Sequence, residues 1–162
     1  MASFIIEGGH RLKGEIAPQG AKNEALQVLC AVLLTNEPVR IKNIPNIVDV
    51  NNQIQLLRDM GVEVTEHDEH DYTFVAKQFD DLYLGSEAYT QRCRQLRGSV
   101  MMLGPLLARR GKAIVAKPGG DQIGRRRLDT HFHGIQKLGG KFTYDENKYL
   151  YHVVTEASSK SM

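Results

Sequence analysis

Two stretches of this chain carry the same signals in the same order, and that duplication limits the folds open to it. Leu33-Leu34 is matched by Leu106-Leu107, each pair closing an apolar helical run. Leu57-x-x-Met60-Gly61 is matched by Ile135-x-x-Leu138-Gly139, each a helix end followed by the glycine that suits it. The period is about 75 residues, longer than solenoid repeats, so it reads as a small subdomain used twice. In the first copy, Ala25, Leu26, Leu29, Val32 and Leu33 recur at helical spacing and predict a helix over residues 22–34. Residues 39–42 alternate apolar and polar, as a half-buried strand does. Beyond Pro45, Val50, Ile54, Leu57 and Met60 predict a helix over 48–60, and strands follow at 62–65 and 72–76. In the second copy, 82–84 is strand-like, 97–109 is helical with Gly111 closing it, and 113–116 is a strand. A helix at 129–138 and strands at 141–144 and 150–154, joined by Asp145-Glu146-Asn147, complete it. Each unit is helix–strand–helix–strand–strand: one amphipathic sheet with two helices to cover it. The expected class is therefore α/β (α+β), with both units inside residues 21–156. Ahead of them, 4–6 and 11–15 read as short strands about a Gly8-Gly9 turn. Residues 157–162 have no apolar pattern and read as a disordered tail.

Composition narrows the functions. With 41% hydrophobic and 25% charged residues, collagen, coiled coil and bulk disorder are excluded. No apolar run approaches the roughly 18 residues of a membrane span, and the start resembles no secretory signal, so a cytoplasmic location is expected. A net charge of +2 is too balanced to imply nucleic acid, and no aromatics interleave the arginines. Cys30 and Cys93 form no CxxC and no zinc framework. Cys30 falls in an apolar helical run and reads as core. Cys93 lies between Arg92 and Arg94, which would activate an exposed thiol, but a spectator thiol is the expectation.

Three segments carry chemistry. Gly20-Ala21-Lys22-Asn23 delivers a lysine and an amide to the first turn of a helix, where unpaired N–H groups favour anions. A lysine there works against helix stability, which hints at function. Leu96-Arg97-Gly98-Ser99 again sets a cation at a helix start, in the equivalent place of the second unit. The third segment runs from Pro118 to Asp129, a loop of about twelve residues with Gly119, Gly120, Gly124, Asp121, Arg125, Arg126 and Arg127. Its glycines allow close approach to a ligand and its arginines offer forked donors to phosphate or carboxylate. Asp129 could also be the N-cap of the next helix. His131 and His133 lie two residues apart, hence on different helix faces, and read as surface or packing residues. Together these segments suggest a site for a multiply anionic small molecule between two subdomains, with a mobile lid.

The stretches GAKNEAL, RGSVMMLGPLLARRGKA and PGGDQIGRRRLDTHFHGIQKLGG, in that order and spacing, resemble the UDP-N-acetylglucosamine 1-carboxyvinyltransferase (MurA) family of enolpyruvyl transferases. The shikimate-pathway sister enzyme has a different lysine motif. The resemblance implies an inside-out α/β barrel domain built from such repeats. It implies transfer of an enolpyruvyl group from phosphoenolpyruvate to the 3-hydroxyl of UDP-N-acetylglucosamine, early in bacterial peptidoglycan synthesis, with no metal or organic cofactor. By carry-over, Lys22 would hold phosphoenolpyruvate and Asn23 the sugar hydroxyl and adduct. Arg97 would contact the UDP-sugar, Arg126 the phosphate, and Leu128 and Asp129 the uracil region. Asp121 stands where most members have a catalytic cysteine, and Arg127 where many have proline. Fosfomycin alkylates that cysteine, so fosfomycin resistance is expected. Family members are much longer, with two domains of threefold repeats. The chain is accordingly expected to be a fragment, inactive alone, with residues 1–20 belonging to the partner domain and with surfaces that could favour a homodimer. The alternative is a non-catalytic module that binds a nucleotide-sugar or another anion.

Overall fold

The alternation at Val39, Arg40, Ile41 and Lys42 becomes strand β1 (Val39–Lys42), with the two apolar side chains half-buried and the two cations exposed. A computed structural model describes residues 3–116 and 128–155. Helix α1 (Lys22–Ala31) runs into a 3-10 turn at Val32–Leu34 and leads to β1. Helix α2 (Val48–Asp59) follows, then the hairpin β2 (Glu63–Asp68) and β3 (Asp71–Val75). The sheet order is β1-β3-β2, antiparallel throughout, with Val39 opposite Phe74 and Ile41 opposite Tyr72. The second unit repeats this layout. A 3-10 segment (Arg97–Met102) and α4 (Leu103–Arg110) precede β4 (Lys112–Ala116), and α5 (Asp129–Lys137) precedes β5 (Gly140–Asp145) and β6 (Leu150–Thr155). Its order is β4-β6-β5, again antiparallel. The duplicated signals thus correspond to duplicated topology, and the fold is mixed helix and sheet.

The two units share one apolar core. Leu29, Leu33, Leu57, Met60 and Phe74 of the first join Met102, Leu106, Leu150 and Val153 of the second in one buried cluster. Helix α5 buries no residue completely. It is held by Phe132, whose ring lies 5.0 Å from those of Phe142 and Tyr151. Gly61, Gly111 and Gly139 follow their helices at φ of 96°, 65° and 92°, the left-handed conformation that glycine adopts without steric cost.

Four expectations are corrected. Residues 82–84 form turns, not a strand: the Asp80 carboxylate accepts from the N–H groups of Leu82 and Tyr83 at 2.9 and 3.0 Å, and that local bond outcompetes a short alternation. After it comes an unforeseen helix, α3 (Glu87–Arg94), whose N-cap Ser86 accepts from Tyr89 N–H at 3.1 Å. The helix expected over 97–109 is α-helical only from Leu103, its first residues forming a 3-10 segment, the tighter form common at helix N-termini. Residues 4–6 and 11–15 form no strands, and Phe4, Ile5, Ile6, Leu12 and Ile16 are exposed. A lone two-stranded ribbon buries too little apolar area to hold itself. The tail at 157–162 lies outside the described residues.

One ion pair ties β1 to β3. Arg40 donates to both oxygens of Asp71, at 2.9 and 2.7 Å. The guanidinium's hydrogen bonds hold the Asp71 carboxyl below the ordinary carboxylate value. Its folded pKa is depressed, so its stabilisation is full above the unfolded value of about 3.9 and is lost as pH falls through the folded value. Asp71→Asn is expected to flatten the acid limb of a urea-denaturation series below about pH 4. An unchanged acid limb would mean that other carboxylates set it.

Candidate functional site

Two helix starts are brought side by side by one close backbone contact. A Cβ on Gly20 would lie 2.0 Å from the Asn43 carbonyl oxygen, so only glycine lets the chain entering α1 pass against the chain entering α2. That loop is itself pinned. Ile44 N–H donates to the His70 carbonyl at 3.0 Å, and His70 Nδ1–H donates to the Ile44 carbonyl at 2.7 Å. Lys22 opens α1, and Asp49 lies in the first turn of α2. Their side chains form an ion pair, each a little under half exposed. Neither helix has a side-chain cap, since Ala21 and Ile47 occupy the N-cap positions. Both starts therefore offer backbone donors and partial positive charge, and Lys22 adds a full charge.

Arg97 opens the 3-10 segment that packs on α1. The Cβ position of Gly98 lies 3.7 Å from Leu26 Cβ, one helical turn beyond Asn23, and 3.7 Å from Gln53 Oε1. Gln53 lies one turn after Asp49 on α2 and is completely buried. Its Nε2 donates to Cys30 Sγ at 3.5 Å, while its Oε1 has no hydrogen-bond partner among the described residues. Helix α2 thus touches both cation-bearing segments, through Asp49 at Lys22 and through Gln53 beneath Gly98. Lys22 and Asn23 open α1, and the segment that Arg97 opens packs on the same helix at Leu26 and Cys30.

The other expected residues belong to the second unit. Leu128 is half-buried against the core, and Asp129 is the first residue of α5 with Leu128 at the N-cap. The N-cap reading of Asp129 is therefore corrected by one position, and its carboxylate still favours the helix start. Asp121, Arg125, Arg126 and Arg127 lie outside the described residues. His131 and His133 are exposed, as expected. Cys93 is buried and its thiol is pushed up to about 11, chiefly by desolvation. The flanking arginines turn away from it: Arg92 pairs with Asp59 at 3.2 Å and Arg94 stacks 5.0 Å over Tyr149. Cys30 is pushed up to about 12 by burial, so both thiols are inert. Asp49 and Gln53 escaped the sequence reading, because an acid in the first turn of a helix and a glutamine in an amphipathic one are ordinary there.

The fold is that of the enolpyruvyl transferases, as two solved structures show. The chain is similar to the enolpyruvyl transferase NikO from Streptomyces tendae, with TM-score 0.71 at 21% identity, covering 92% of this chain and 31% of that one. It matches the EPSP synthase of Acinetobacter baumannii at TM-score 0.56 and 13% identity, over 88% and 32% of the two chains. The chain belongs to the EPSP synthase (3-phosphoshikimate 1-carboxyvinyltransferase) family, whose profile matches residues 6–161. It is 60% identical over 156 residues to the UDP-N-acetylglucosamine 1-carboxyvinyltransferase of Bacteroides fragilis, and 52% identical over 159 residues to that of Porphyromonas gingivalis. These alignments cover 96% and 98% of this chain but 36% and 37% of the relatives, so it spans little more than a third of their length. No helix among the described residues is long and apolar enough to cross a membrane.

Proposed function

We propose that this chain supplies part of the substrate site of a UDP-N-acetylglucosamine 1-carboxyvinyltransferase, acting in the bacterial cytoplasm at the start of peptidoglycan synthesis. The observation that carries the reading is the pairing of two uncapped helix starts about Lys22 and Asn23, with the Arg97 segment packed on the same helix. In the reaction, a proton is delivered to the methylene carbon of phosphoenolpyruvate, and the 3-hydroxyl of the sugar attacks the adjacent carbon while its own proton passes to a base. The adduct then loses a proton from the new methyl group and expels phosphate. Lys22 holds the carboxylate and phosphate charge, Asn23 orients the attacking hydroxyl, and Arg97 binds the nucleotide-sugar. Asp121 takes the acid position, Arg126 binds the phosphate, and Leu128 and Asp129 border the uracil. The exposed apolar residues Phe4, Ile5, Ile6, Leu12 and Ile16 are the surface on which the remainder of the enzyme closes.

Calorimetric titration of the chain with UDP-N-acetylglucosamine tests the reading. Saturable binding is expected, weakened roughly tenfold or more by Arg97→Ala through loss of a charge-assisted contact. Equal binding by a folded Arg97→Ala chain would remove Arg97 from the site. Fosfomycin is expected to leave the chain unmodified, because a carboxylate is a poor nucleophile toward an epoxide, while Asp121→Cys restores a reactive thiol. A fosfomycin adduct on Asp121, seen by intact-mass analysis, would overturn the expected resistance.

A further inference from the structure

Lys22 already has a carboxylate. Asp49 reaches it from another helix, and the contact depends on Gly20 passing against the pinned Asn43 loop, so the fold brings the two charges together. Both side chains are a little under half exposed, the range in which an ion pair is weak and is readily exchanged. We propose that Asp49 is the resident counter-ion of Lys22, which an incoming phosphate group must displace, and that it is a tuning residue for the anion site. The proposal rests on the reading of Lys22 as the phosphoenolpyruvate cation and goes beyond it in one respect. A site made of Lys22 and two helix starts alone would retain inorganic phosphate, the leaving product. A carboxylate that returns to Lys22 weakens that retention while leaving the full charge available to a substrate bound at several points. Glu24 is the nearest internal comparison: it lies in the first turn of the same helix, carries the same charge and is exposed. If Asp49 acts by contact, removing its charge has a larger effect than removing that of Glu24.

The probe is inorganic phosphate, followed through the amide chemical shifts of Lys22 to Ala25 in the chain as it is, with sodium chloride varied. Asp49→Asn is expected to tighten phosphate binding by roughly fivefold at low salt. Its affinity should also fall more steeply with added chloride, which then takes the vacated place on Lys22. Glu24→Gln should stay within about twofold of the parent. Asp49→Ser, without an amide that could bond Lys22, should behave as Asp49→Asn does. Equal effects of Asp49→Asn and Glu24→Gln would overturn the proposal, since the effect would then be general charge. Weaker binding by both Asp49 variants would overturn it as well, because Asp49 would be supporting Lys22 and not competing for it. Unchanged phosphate binding in Lys22→Met would instead sink the underlying assignment of Lys22.

Discussion

Gly20→Ala is expected to destabilise the chain by about 2–3 kcal/mol and to separate Lys22 from Asp49. The new methyl would lie 2.0 Å from the Asn43 carbonyl oxygen and 3.2 Å from Pro45 Cδ. Relief by moving the loop is blocked, because both the N–H and the carbonyl of Ile44 are bonded to His70. Asn43 is already in the left-handed region at φ 59°, which leaves little freedom to re-route the turn. The start of α1 must therefore retreat, and Lys22 goes with it. Urea denaturation reports the first effect as a lower midpoint at an unchanged slope. The second appears as displaced amide resonances at Asp49 and Lys22. An unshifted midpoint would mean that the two backbones do not approach as described, and the assembled site would fall with them.

Tyr89→Ala is expected to cost about 3–5 kcal/mol, a large part of the 5–15 kcal/mol that stabilises a typical domain. Tyr89 is completely buried in α3, which packs on both α2 and β4. Its ring meets Tyr83 edge-on at 5.8 Å, and its hydroxyl donates to the Ile114 carbonyl of β4 at 2.8 Å. It therefore joins the first unit to the sheet of the second. Tyr89→Phe, which keeps the ring and deletes the hydroxyl, should cost only about 1 kcal/mol. Hydrogen exchange should show β4, β5 and β6 losing protection before β1 and β3 in the alanine variant. Uniform loss of protection would mean that the shared core, and not α3, couples the units.

The contrast between those residues and the legible ones has a physical basis. Helix α2 could be located because Val50, Ile54 and Leu57 recur on one face, and all three are buried. Helix α3 could not, because its sequence EAYTQRCR gives only Tyr89 and Cys93 as a buried pair one turn apart, too thin a stripe to register. Lys22 and Arg97 stood out because cations at helix starts break a local rule. Asp49 and Gln53 break none, so only their neighbours reveal them.

Local periodicity and glycine placement alone determined the duplicated helix–strand–helix–strand–strand order, because alternation, helical spacing and left-handed helix ends are properties of short segments. Tertiary structure alone decided that Gly20 must lack a side chain, that Lys22 meets Asp49, that Cys93 is sealed from its flanking arginines, and that residues 4–6 stand exposed instead of pairing. Each of those depends on which distant segment arrives against which, and no pattern within a single segment encodes that arrival.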